Sequence, residues 1–175
     1  MEARGGRPAV SHRSDGVLRP SELSASLPSS ERLAKGPVVV VECVERIPCD
    51  PCVGACAKGA ITMPGDINEP PVVDFDRCDG CGVCISACPG LAVFVVDASR
   101  PDGKATVMMP HEFVPLPAVG DTVAALDREG NVVCDAVVKR VLSAKALDRT
   151  PIVTLEVPAE HAMAVRHFRR RTGRA

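Results

Sequence analysis

Two cysteine strings in tandem constrain this 175-residue chain more than any other feature. Cys49-Asp-Pro-Cys52-Val-Gly-Ala-Cys56 lies over Cys81-Gly-Val-Cys84-Ile-Ser-Ala-Cys88 with every cysteine in register at an offset of 32 residues. The match continues through Ala55 with Ala87, Ala60 with Ala92 and Ile61 with Val93. A repeat of this period marks one supersecondary unit used twice. Each copy is expected to begin with a strand, Val38 to Val41 or Val72 to Phe75, and to pass through a cysteine loop and a short helical turn. It then enters an apolar segment, Ala60 to Met63 in the first copy and Leu91 to Val96 in the second.

The second copy reads Cys78-x2-Cys81-x2-Cys84-x3-Cys88-Pro89. Three cysteines at intervals of three let one tight loop place three thiolates around a cubic iron-sulfur cluster. Gly80, Gly82 and Gly90 suit a loop that must bend sharply and bring its amides close to sulfur. The first copy supplies Cys43-x5-Cys49-x2-Cys52-x3-Cys56, so eight ligands stand ready for two clusters. Zinc also uses Cys-x2-Cys pairs, but its four-cysteine sites combine two pairs, not three cysteines in step. A zinc-binding interaction module without a redox role is the alternative from another class. The N-terminus has no apolar stretch of signal-peptide length, and nothing approaches the roughly 18 to 20 apolar residues of a membrane span. A cytoplasmic chain is therefore expected, whose reduced thiols serve as ligands instead of forming disulfides.

The remaining candidates read more plainly. Cys134, in the strand-like Val132 to Val137, is expected to be a small buried residue. His12, His111, His161 and His167 share no metal spacing and are expected at the surface or an interface. Asp50 and Asp79 would shape the field around an anionic cluster more than ligate iron.

The chain has no Trp or Tyr and four Phe, so its core must come from small aliphatic residues. A segment of about 60 residues built that way needs a metal or a partner. Residues 1 to 36 carry 6 basic and 4 acidic groups, 37 to 98 carry 3 and 9, and 99 to 175 carry 12 and 9. The acidic block thus coincides with the cysteines. The basic run Arg166 to Arg174, without aromatic residues to stack bases, reads as a solvated or partner-docking tail and not as a nucleic-acid site. Residues 1 to 36, rich in Ser, Pro, Arg and Gly, read as an extended arm without its own core.

Residues 99 to 158 hold four Val-rich stretches, Ala105 to Met109, Thr122 to Leu126, Asn131 to Leu142 and Ile152 to Val157, expected as a small β-rich barrel or sandwich. Pro158 to Arg171 is expected to close it as a helix with Ala162, Val165 and Phe168 inward, leaving 159 to 175 as helix and basic tail.

Residues 37 to 97 resemble a two-cluster bacterial-type ferredoxin domain. The resemblance implies a duplicated α+β fold and crossed ligation, in which the fourth cysteine of each run reaches the other cluster. Cluster one would then take Cys43, Cys49, Cys52 and Cys88, and cluster two Cys78, Cys81, Cys84 and Cys56. The first run departs from the pattern: five residues separate Cys43 from Cys49, and Ala57 stands where proline is usual. A 3Fe-4S cluster on Cys49, Cys52 and Cys88 is the alternative at that site.

The wider string Glu42-Cys-Val-Glu-Arg-Ile-Pro-Cys-Asp-Pro-Cys52, with Phe113-Val-Pro-Leu-Pro117 and Gly120-Asp121, is similar to a narrower family. This is the small iron-sulfur subunit of multi-subunit flavin dehydrogenases that oxidise proline, hydroxyproline, opines or related amino acids. The resemblance implies a hetero-oligomer in which flavin-containing subunits, with or without a further iron-sulfur subunit, do the chemistry and this chain carries electrons. No G-x-G-x-x-G, P-loop or nucleophile-base spacing is present, so no catalytic residue is assigned. An independent soluble ferredoxin is the alternative, although the arm and the β-rich region exceed what a free carrier needs.

Overall fold

The computed structural model describes residues 11–23, 26–147 and 149–171. Expectations for the first ten residues and for the tail beyond 171 lie outside that range. The repeat emerges as strand, helical turn, strand, twice over. The first copy contains β1 (Val38–Val41), α4 (Pro51–Ala55) and β2 (Ile61–Thr62); the second contains β3 (Val72–Val73), α5 (Val83–Ala87) and β4 (Val93–Asp97). Strands are exchanged between copies: β1 pairs antiparallel with β4, and β2 with β3.

The unbroken Val38 to Val41 run is explained by burial on both faces, since all four valines are buried. Val40, with Phe94 and Val96 of β4, faces one core, and Val39 and Val41, with Val93 and Val95, face a second core that holds the cysteines. Each such side chain contributes roughly 1.5–3 kcal/mol on burial.

Beyond the cysteines come β5 (Lys104–Pro110), β6 (Thr122–Leu126), β7 (Val132–Leu142), β8 (Ile152–Pro158) and β9 (His167–Arg170). The four expected strands lie where their valine patterns put them, but they do not form a sheet of their own. One seven-stranded sheet runs in the order β1-β4-β5-β8-β7-β6-β9, so the boundary expected at 98/99 falls on a hydrogen-bonded hairpin, where Val96 pairs with Val107. Composition changes there; pairing does not. Register shifts in β7, near Val133 and at Lys139, curl the sheet. Its two ends meet where Glu42, just after β1, bonds Arg166, just before β9.

Two expectations are corrected. The closing helix is absent: Ala159–His161 makes one 3-10 turn, and His167–Arg170 is an edge strand on β6. A segment this short gains little as a helix, whereas β6 offers an unpaired backbone edge. Ala162, Val165 and Phe168 are nonetheless buried. The arm is not extended either. Its described part forms three one-turn helices, α1 (His12–Asp15), α2 (Pro20–Leu23) and α3 (Ser30–Leu33). Leu23 is 1% exposed, and Leu27 and Leu33 pack against the core that Val40, Phe94 and Val96 face. Glu22 ties the first two turns, accepting from the Ser11 hydroxyl and from the His12 and Arg19 amides.

No helix among the described residues is long and apolar enough to cross a membrane.

Candidate iron-sulfur centres

The hydrogen bonding around the cysteines repeats at the sequence offset of 32. The Val53 amide donates to the Asp50 carbonyl as that of Ile85 does to Gly82, and the Cys56 amide donates to Val53 as that of Cys88 does to Ile85. At the exit of each helical turn an amide four residues on approaches the sulfur: Ala60 N to Cys56 Sγ at 3.3 Å, and Ala92 N to Cys88 Sγ at 3.4 Å. The turn between them requires a positive φ, met by Gly59 (57°) in one copy and by Leu91 (52°) in the other.

These turns send the eight cysteines into two groups, each drawn from both copies. Burial raises the Cys43 thiol pKa, and neighbouring Cys88 and Cys49 raise it further. Burial pushes the Cys52 thiol up to about 11, with Cys88, Cys43 and Cys49 all adding to it. Burial pushes Cys84 up to about 12, aided by Cys81, Cys78 and Cys56. The first group is thus Cys43, Cys49, Cys52 and Cys88, and the second is Cys56, Cys78, Cys81 and Cys84. Thiols held this way favour their protons until a metal displaces them.

All four cysteines of the second group line one small pocket, partly open to solvent, walled by Val39, Ile61 and Val95. A soft four-thiolate donor set in an apolar wall fits an iron-sulfur cluster. Among the described residues no three Cys, His, Asp or Glu side chains converge as ligands of a single ion do. A cluster with one thiolate on each iron does not require such convergence.

The loops that deliver these sulfurs are built differently. Gly80 (φ 67°) lies so close to Pro37 that a Cβ there would stand 2.5 Å from the proline Cβ. Gly82 (φ 80°) begins α5, and a Cβ there would meet the Met108 methyl at 2.7 Å. The Val39 amide lies 3.4 Å from Cys78 Sγ, and Asp79 accepts from the Cys81 amide at 3.2 Å while pairing with Lys58. Asp79, which also lines that pocket, holds the loop through these bonds. Cys43 instead follows directly on Glu42, whose carboxylate is buried against Arg128 and Arg166 at 2.5 and 2.6 Å. Burial pushes the Glu42 carboxyl up, but the two guanidinium groups outweigh it and hold it below its ordinary value.

Arg166 is accordingly no part of a solvated tail: its side chain is 4% exposed and its guanidinium lies 5.0 Å from the centre of the Phe94 ring. Nothing in the sequence pattern marked this triad, whose members are 86 and 124 residues apart.

Among the other candidates, Cys134 is partly buried in β7 against the core that Val40 and Phe94 face, and Asp50 caps the start of α4 without a side-chain bond. The expectation for His111 fails: it is 5% exposed, stacked on Phe168 with ring centres 4.5 Å apart. Burial, with His167 nearby, lowers its pKa to about 4. His12 pairs with Glu22 at 2.7 Å. His161 and His167 are half-buried.

A family model described as 4Fe-4S binding domain matches residues 71–94, the segment carrying Cys78, Cys81, Cys84 and Cys88. The ferredoxin-type protein NapF of Haemophilus influenzae is 36% identical over 67 residues, covering 35% of this chain and 38% of that protein. The pyruvate synthase subunit PorD of Methanothermobacter marburgensis is 38% identical over 47 residues, covering 27% of this chain and 51% of that subunit. The chain thus spans between about two fifths and a half of the curated relatives it matches. No solved structure matches it. The second cysteine run thus lies in a segment that matches a 4Fe-4S binding domain.

Proposed function

We propose that this chain is an electron-transfer subunit holding two 4Fe-4S clusters, one on Cys43, Cys49, Cys52 and Cys88 and the other on Cys56, Cys78, Cys81 and Cys84. It would act in a cytoplasmic, hetero-oligomeric flavin-dependent dehydrogenase whose substrate is an amino or imino acid. On this reading residues 37 to 98 are a duplicated ferredoxin-like unit, and the strands that extend its sheet are a platform for partner subunits. The observation that carries the proposal is the pocket in which Cys56 of the first copy joins Cys78, Cys81 and Cys84 of the second.

Bound there, the clusters supply reversible one-electron transfer. The chain's residues hold and tune them: eight thiolates fix the iron, and amides of Val39, Ala60 and Ala92 point at the Cys78, Cys56 and Cys88 sulfurs. Such bonds stabilise sulfur as its electron density rises. Val39, Val41, Ile61, Ile85, Val93 and Val95 keep water from the inner side. The electron source is a reduced flavin on the partner subunit.

Several features support the subunit role. One relative is by name a subunit of pyruvate synthase. Phe113 and Val114, within the string that resembles the dehydrogenase family, expose 66% and 88% of their surface. Anaerobic isolation of the tagged chain from its own cells tests the reading. It should come away with a stoichiometric flavoprotein that oxidises an amino or imino acid; isolation as a lone monodisperse monomer would contradict it.

A further inference from the structure

Arg32 of α3 reaches out of the N-terminal arm and grips the loop that begins the second cysteine run. Its Nε donates to the Phe75 carbonyl at 2.8 Å and its Nη1 to Gly36 at 3.1 Å. Its Nη2 donates both to Pro37 at 3.1 Å and to the Cys78 carbonyl at 2.7 Å. One guanidinium therefore satisfies four carbonyls, two from the entry to β1 and two from the turn at Phe75 to Cys78.

The same turn is pressed from the other side, where Gly80 contacts Pro37 and the Val39 amide meets Cys78 Sγ. Carbonyl oxygens, not a carboxylate, take all the bonds described for Arg32, so its charge is not cancelled by a direct ion pair. Asp76 and Asp79 border the same groove, and Asp79 is committed to Lys58. A cation against the backbone of a cysteine ligand favours an added electron on the anionic centre that cysteine holds. The first group has a different surround, in which Glu42 offsets one of its two arginines.

We infer that Arg32 is a positioning residue for the second cysteine group that also raises the reduction potential of the cluster held there, leaving the other cluster's potential unchanged. The inference rests on the two-cluster reading. Arm docking then becomes part of the electronic design: the charge acts on the second centre only while α3 is seated. Each couple takes one electron, with no bond made or broken.

Redox titration of the anaerobically purified full-length chain with dithionite, followed by electron paramagnetic resonance, tests this. Cys81→Ser identifies which signal belongs to the second group. Arg32→Gln should lower the reduced-to-oxidised ratio of that signal by roughly tenfold at a fixed potential, about 59 mV for one electron. The first signal should stay in place. Arg32→Lys keeps the charge with fewer bonds, and should keep its iron and stay within about threefold of the wild-type ratio.

Unchanged potentials in Arg32→Gln, or equal shifts in both signals, would overturn the inference. If Arg32→Gln sheds iron, Arg32→Lys decides: iron loss there too would reduce Arg32 to a latch and overturn the electronic role. A wild-type chain lacking two distinct signals would instead defeat the two-cluster reading.

Discussion

The two cysteine runs share an offset, a helical turn and a set of amide-to-sulfur contacts, yet their first ligands are secured by opposite means. Cys78 is fixed through its backbone: glycines at 80 and 82 with positive φ, Pro37 pressed against one of them, and Arg32 on the carbonyls of Phe75 and Cys78. Cys43 stands on a longer loop held through a side chain, with the adjacent Glu42 anchored to Arg128 and Arg166. The cysteine loop that is longer by three residues is thus the one set beside a buried ion triad, whose arginines come from the far end of the sheet. Both arginines lie in connections of the same sheet, Arg128 between β6 and β7 and Arg166 just before β9, so the sheet that extends the cysteine unit brings them to Glu42.

The largest effects should come from testing the exchange between copies. Cys88→Ala should remove about four irons from the group it shares with Cys43, Cys49 and Cys52, and Cys56→Ala about four from the group it shares with Cys78, Cys81 and Cys84. The surviving resonance signal should differ between the two variants. Loss of the same signal in both would break the comparison at its root.

Next in size is the anchor of the first run. Glu42→Gln leaves two buried guanidinium groups facing each other and should cost about 3–5 kcal/mol in chemical denaturation. The first group should lose an iron before the second, giving a three-iron signal on brief exposure to air. Equal sensitivity of both groups would mean that the triad does not serve Cys43.

Smaller is the test of the local device. Gly80→Ala combines φ 67° with a 2.5 Å clash against Pro37 and should cost about 1–3 kcal/mol. Gly59→Ala meets only the mobile end of Arg77 at 2.9 Å. Leu91 already adopts the equivalent conformation, so Gly59→Ala should cost about 1 kcal/mol or less. Reversal of that order would show that the second loop is not held by close backbone approach.

The smallest effect at neutral pH lies away from the cysteines. His111 has its pKa lowered to about 4 in the fold, so the unfolded chain binds the proton first as pH falls from about 6.5 to about 4. Its contribution is complete above about pH 6.5 and is lost progressively through that window. Denaturation midpoints of wild type should therefore fall more steeply between pH 7 and 4.5 than those of His111→Phe. Parallel curves would show that the burial of His111 does not set the acid sensitivity of the fold.

The legible part of this molecule was the part governed by local rules. Cysteine spacing announced two helical turns and their offset, and runs of valine announced β1 and the later strands, because hydrogen bonding and burial there follow chain order. The two edges of the sheet were not legible. Nothing in Val165-Arg-His-Phe168 distinguishes a helix from a strand until β6 offers it a partner, and Arg166 reads as one of several exposed bases until Glu42 is brought to it. Arg32 was hidden for the same reason, since its acceptors at Phe75 and Cys78 are 43 and 46 residues away. The short leucine-bearing arm, lacking periodicity, gave no sign that Leu23 would be buried.

The central claim is that eight cysteines form two cluster sites, and metal analysis of the anaerobically purified chain tests it most directly. About eight irons and eight acid-labile sulfides per chain are predicted, with negligible zinc and two distinguishable redox signals. Four irons with one signal, or zinc in place of iron, would contradict it.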